Sequence, residues 1–152
     1  MQKIQFQVNI HAPASKVYDV MLGLSNKTTY EQWTAMFNPT STYKGSWEQG
    51  SKMLFIGVDE NGKQGGMVSE IEVLEPAVFV SIRHYGILDG DVELTSGEMV
   101  EQWAGSHENY LFREEQGITT VTVEMDIVET YLDYFNSTYP AALNKLKEVA
   151  EQ

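Results

Sequence analysis

From Thr42 to Val128 the chain is written largely in a period of two, in segments divided by short turns. These segments are STYKGSW, KMLFIGV, GGMVSEIEVLE, AVFVSIRHY, HENYLFREE and TTVTVEMDIVE, with turn chemistry such as DENGK and EEQGIT between several of them. Successive side chains of a strand point to opposite faces, so such segments bury one face and wet the other. Short connections join antiparallel neighbours, because a parallel pair needs a long crossover. The chain must therefore build an antiparallel sheet and lay something apolar against one face of it.

The ends of the chain supply that cover. In YLDYFNSTYPAALNKLKEVAEQ, the residues Phe135, Tyr139, Ala142, Leu143, Leu146 and Val149 recur at spacings of three and four, with Lys145, Lys147 and Glu148 elsewhere. That is an amphipathic helix. Pro140 lacks an amide donor, which predicts a kink there or a helix that starts there. At the other end Ile4, Phe6, Val8 and Ile10 alternate with Gln5, Gln7, Asn9 and His11, a strand that leaves His11 on its polar face. Pro13 has a fixed φ suited to a first helical turn, and Val17, Val20, Met21 and Leu24 follow at helical spacing. A capping box from Thr28 to Glu31 predicts a second short helix running to about Met36. Residues 86–106 are the least legible: glycine-rich breaks surround a helical turn at Met99 to Trp103, as in a surface connection or a mobile flap.

A length of 152 residues suits one domain, and the absence of cysteine removes disulfides, thiolate catalysis and Cys-ligated zinc. With 22 acidic against 10 basic residues the net charge is −12, which repels a phosphate backbone or an anionic leaflet. No nucleic acid and no membrane insertion are expected. No run approaches the ~20 apolar residues of a spanning helix and no leader pattern opens the chain, so a cytoplasmic protein is expected. His11, His84 and His107 are far apart, and neither a glycine-rich phosphate loop nor a G-x-S-x-G elbow occurs. Neither metal nor cofactor is expected, and the lack of a catalytic constellation favours binding over catalysis.

Strand, two short helices, a series of strands and one long helix make an α+β helix-grip arrangement, with about seven antiparallel strands curved around the C-terminal helix. The blocks APASKVYDVM, YEQWTAMFNPTSTYKGSWEQGSKMLF, ENYLFREEQGITTVTVEMD and YPAALNKLKEV resemble successive parts of the SRPBCC or START-like superfamily. Within it they are most similar to the homologues of the activator of the ninety-kilodalton heat-shock chaperone's ATPase. The resemblance spans nearly the whole chain and implies one START-like domain over residues 1–152. It also implies a cavity between sheet and helix for a small hydrophobic or amphipathic ligand, a lipid or an aromatic metabolite. The fold also serves polyketide-cyclase-like or hydrolase-like enzymes and chaperone-interacting modules, and fold does not choose among functions. A homodimer and a chaperone partner are left open.

Strand parity selects the expected lining. If Tyr110 and Phe112 face the helix, so do Val121, Val123, Met125 and Ile127 on the next strand. On earlier strands parity selects Met67, Ile71 and Val73, then Val80, Ile82 and His84. KMLFIGV is apolar on both faces, and Met53 and Phe55 are taken as its inward pair. Trp33, Phe37, Phe135 and Tyr139 join them from the helices. Such residues suit an apolar pocket with few polar groups, and equally an ordinary closed core. His84 is the titratable group that parity places inside, able to orient a ligand oxygen or to act as acid or base, with Tyr110 and Tyr139 as further polar candidates.

Overall fold

The computed structural model describes residues 1–152. In chain order the elements are β1 (Gln2–Ile10), α1 (Ala14–Leu22), α2 (Lys27–Thr34), β2 (Thr42–Gly45), β3 (Lys52–Val58), β4 (Gln64–Glu75) and β5 (Phe79–Asp89). There follow β6 (Val92–Leu94), α3 (Glu98–Glu101), β7 (Ser106–Glu115), β8 (Ile118–Ile127), a 3-10 turn at Glu129–Tyr131 and α4 (Leu132–Ala150). The strands form one curved antiparallel sheet in the order β1-β8-β7-β5-β4-β3-β2, with β6 paired to β5, and α4 lies in its concave face. This is the expected helix-grip fold, with eight strands rather than about seven. The added strand arises in residues 86–106, where β5 runs on to Asp89 and Val92–Leu94 fold back upon it. Gly86 makes this close approach feasible, since a Cβ there would meet the Leu94 carbonyl oxygen at 2.7 Å.

The corner between β1 and α1 forms much as its sequence suggests, with shifted boundaries. Pro13 is the cap residue at ψ 151, one position before the helix rather than within it. Having no side-chain acceptor of its own, it leaves the Ala14 amide to Glu114 of β7, whose Oε1 accepts it at 2.7 Å. Gly23 ends α1 in the left-handed region at φ 70, and the amides of Gly23 and Leu24 both reach the Asp19 carbonyl, at 2.9 and 3.1 Å. Leu24 therefore lies outside the helix and is exposed. The capping box does not form, because Asn26 caps α2 two residues earlier by accepting the Thr28 amide at 3.0 Å. That helix ends at Thr34, short of Met36. α4 runs unbroken through Pro140 from Leu132, so it does not begin at the proline.

Tyr139, Ala142, Leu143, Leu146 and Val149 form the buried stripe of α4 within a core cluster of 27 residues. Each side chain of Leu or Val size buried there stabilises the fold by about 1.5–3 kcal/mol. The Trp33 indole donates to the Met21 carbonyl and the Tyr43 hydroxyl to the Leu22 carbonyl, both at 2.9 Å, which pins α2 and β2 to the end of α1. Two irregularities curve the sheet, at Val68/Ser69 and at Ile71/Val73. The second leaves Glu72 as an extra residue, so parity reverses: Leu74 packs against the core where Val73 was expected.

Candidate functional site

Between α2, α4 and the concave face of the sheet lies a cavity of about 220 Å³, lined by 12 residues of which 8 are hydrophobic. α2 contributes Tyr30, Trp33 and Thr34, and the loop after it adds Phe37 and Ser41. The sheet adds Phe55 from β3, Met67 from β4, His84 from β5, and Glu108 and Tyr110 from β7, while α4 closes the far side with Phe135 and Tyr139. Many of the rings meet steeply: Trp33 and Tyr110 at 73° with centroids 6.4 Å apart, Phe37 and Tyr139 at 73° and 5.0 Å. Such edge-to-face contacts fix the rings against one another and so give the cavity a firm wall.

Trp33, Phe37, Phe55, Met67, His84, Tyr110, Phe135 and Tyr139 are thus brought together around one space. Met53, Ile71, Ile82 and Val123 are instead 0% exposed in closed packing, and Phe112 and Met125 are buried in the same core. Phe112 meets Tyr18 edge to face at 5.6 Å, on the α1 side of the sheet. Parity selects the correct face for all six, but a face is longer than a cavity, and helix packing closes most of it.

Parity also carries a residue beyond those expectations. Glu108 is two positions before Tyr110 and shares its face, so His84 is not the lone titratable group inside. The two are partners: His84 Nε2 lies 3.2 Å from Glu108 Oε1, and His84 Nδ1 lies 2.6 Å from Ser69 Oγ. The Tyr139 hydroxyl donates to Glu108 Oε2. Ser69 has no other side-chain hydrogen bond, so its hydroxyl serves His84 Nδ1 alone while Nε2 is directed at Glu108. Burial first, and the Glu108 carboxylate second, push the phenols of Tyr30, Tyr110 and Tyr139 above their ordinary range. They stay neutral donors at any pH the fold meets.

The order Ser69, His84, Glu108 names the residue types of a nucleophilic triad but not its geometry. Ser69 is 0% exposed and does not line the cavity, whereas Glu108 does. The hydroxyl is buried behind the imidazole, and the carboxylate reaches the cavity wall. Tyr30, Thr34 and Ser41 are the other lining residues that sequence patterning did not single out; they come from α2 and its following loop, where no strand parity applies.

Beyond Ser41 and Phe55, which it shares, a wider depression of about 470 Å³ opens between the α2 to β2 loop, the β3 to β4 turn and the end of β5. Only 3 of its 12 lining residues are hydrophobic, so it is a polar depression adjoining the inner cavity rather than a ligand-sized apolar site. Asp59, Asp89 and Lys63 line it, Lys63 being paired with Asp89 at 2.5 Å. Of residues 86–106, Leu88 and Asp89 line the outer depression and none lines the inner cavity.

No protein-family model and no curated protein matches this chain. Solved structures do. The Aha1 dimer from Colwellia psychrerythraea is 21% identical with a TM-score of 0.67, the match covering 99% of this chain and 97% of that one. Protein Ms6760 from Mycobacterium smegmatis is 15% identical with a TM-score of 0.70, covering 97% of this chain and 89% of that one. CalU16 from Micromonospora echinospora is 16% identical with a TM-score of 0.63, covering 99% and 76%. The chain shares the fold of these structures, the Aha1 dimer among them. No helix is long and apolar enough to cross a membrane.

Proposed function

We propose that this protein binds a compact hydrophobic or amphipathic molecule in the cavity between α2, α4 and the sheet. The cavity itself carries the reading: apolar rings enclose a space beside one cluster of polar groups, where the same residues could have packed shut. About 220 Å³ is below the ~300–1,000 Å³ of drug-sized sites, which favours a single-ring metabolite over a long acyl chain. Apolar burial supplies affinity at roughly 25 cal/mol per Å², and His84, Glu108 and Tyr139 supply orientation. Native mass spectrometry of freshly purified protein tests this directly. A co-purified species of single-ring size supports it; an empty protein that shows no thermal shift across an aromatic-metabolite and lipid library overturns it.

One observation favours a second reading, a cyclase-like or hydrolase-like enzyme. Glu108 is held by His84 and Tyr139 at the cavity wall, the arrangement of a positioned proton acceptor. Turnover of a bound carbonyl compound that survives Glu108→Gln and His84→Ala eliminates that reading. A homodimer like that of the Colwellia protein is proposed for the assembly, and light scattering decides it by returning twice the chain mass or once.

A further inference from the structure

The chemistry of the cavity wall narrows the ligand, on the reading that a compact ligand binds there. Its acidic residue is Glu108. Neither lysine nor arginine lines the cavity. Two donors reach Glu108, His84 Nε2 and the Tyr139 hydroxyl. An ionised carboxylate offers about four lone-pair sites, so acceptor capacity remains. Its side chain is 17% exposed.

Around it stand aromatic rings. Trp33 lies 6.5 Å from Tyr139 and 6.4 Å from Tyr110, centroid to centroid, and Phe135 lies 6.1 Å from Phe37. Such rings attract a cation through their quadrupoles, the more when water is excluded. A neutral guest would strip water from Glu108 and return nothing to its charge, a costly outcome for a part-buried carboxylate. A positively charged guest compensates it.

We propose that the cavity is a site for a small organic cation: a primary to quaternary ammonium on a short apolar or single-ring body, held between Glu108 and the surrounding rings. The adjoining depression is consistent with this. Asp59 and Asp89 against Lys63 leave the outer depression with an excess of one negative charge, and the whole chain carries −12. A cation is drawn toward such a surface and an anion is repelled.

Phenyltrimethylammonium and tert-butylbenzene have nearly the same shape and differ in charge, so a titration of each into the full chain, read by tryptophan fluorescence and protein NMR, isolates the proposal. The cation should bind at least ~10-fold more tightly, the equivalent of 1.4 kcal/mol. Glu108→Gln should weaken the cation about 10-fold while moving tert-butylbenzene less than about 3-fold. Phe135→Leu, which keeps an apolar wall but removes a ring, should weaken the cation more than the neutral compound, and it preserves the test if the first variant does not fold. Equal or tighter binding of tert-butylbenzene to the unaltered protein overturns the cation proposal and leaves the ligand-binding reading standing. Binding of neither compound overturns both.

Discussion

On the cation reading Glu108 governs what the cavity holds, and the alternation that selects Tyr110 and Phe112 places it on the same face. A carboxylate on an inward face runs against the polar-out expectation of a half-buried strand. Its inward position is stable only because His84 and Tyr139 bond it. Removing one partner leaves a part-buried acceptor short of a donor, which costs about 1–3 kcal/mol. Tyr139→Phe should therefore lower stability by about 1–2 kcal/mol, read as a urea midpoint shift, whereas Tyr134→Phe, at an exposed hydroxyl, should change it little. Equal effects at the two tyrosines would contradict this account.

Another carboxylate far from the cavity fixes the pH response of the termini. Glu151 Oε2 accepts the His11 amide at 2.8 Å and the Lys147 ammonium at 2.7 Å. The His11 amide first, and Lys147 second, hold its carboxyl below the ordinary 4.5. A depressed folded-state value contributes stability above the unfolded value and loses it as pH falls through the folded one. Glu151→Gln should therefore be less stable than the unaltered protein at neutral pH, and the gap should close as the pH drops below about 4.5. A gap that stays constant through acid would show that the carboxylate charge plays no part. His11 enters this through its backbone, so the histidine at the first corner is structural.

Elements were legible wherever periodicity and turn chemistry agreed, as in β7, β8 and α4. They were illegible where a single residue resets the pattern. Glu72 as an extra residue exchanges Val73 for Leu74, and no propensity marks it. Asn26 outcompetes the Thr28 to Glu31 capping box because it stands two residues nearer the preceding turn. The β3 to β4 pair shows how strict such positions are. Gly66 has φ 145, and a Cβ there would lie 1.8 Å from the Phe55 carbonyl oxygen, backbone against backbone. Gly66→Ala should destabilise by more than ~3 kcal/mol or prevent folding, whereas Gly62→Ala, at φ 79 with nothing nearby, should cost about 1 kcal/mol. Equilibrium unfolding of both variants checks the contrast, and similar values would contradict the packing described.

At the scale of the whole molecule, the sheet wraps α4 and remains open only where α2, its following loop and the curled end of the sheet fail to meet. The fold follows from the order of elements in the sequence, but the opening does not. It depends on where large rings stop interdigitating, and alternation gives a side chain's face without saying whether that face is filled. The seven methionines offer a direct test because they are distributed between the two conditions. Met67 lines the cavity, Met21 and Met53 are 0% exposed in closed core, and Met36 and Met99 are exposed. Methyl-labelled protein titrated with a single-ring ligand should show a saturable shift of the Met67 methyl and the Trp33 indole, with the methyls of Met21 and Met99 unmoved. Saturable shifts confined to Met36 and Met99, or an unmoved Met67 methyl for every compact aromatic compound tried, would contradict the claim that this space is the binding site.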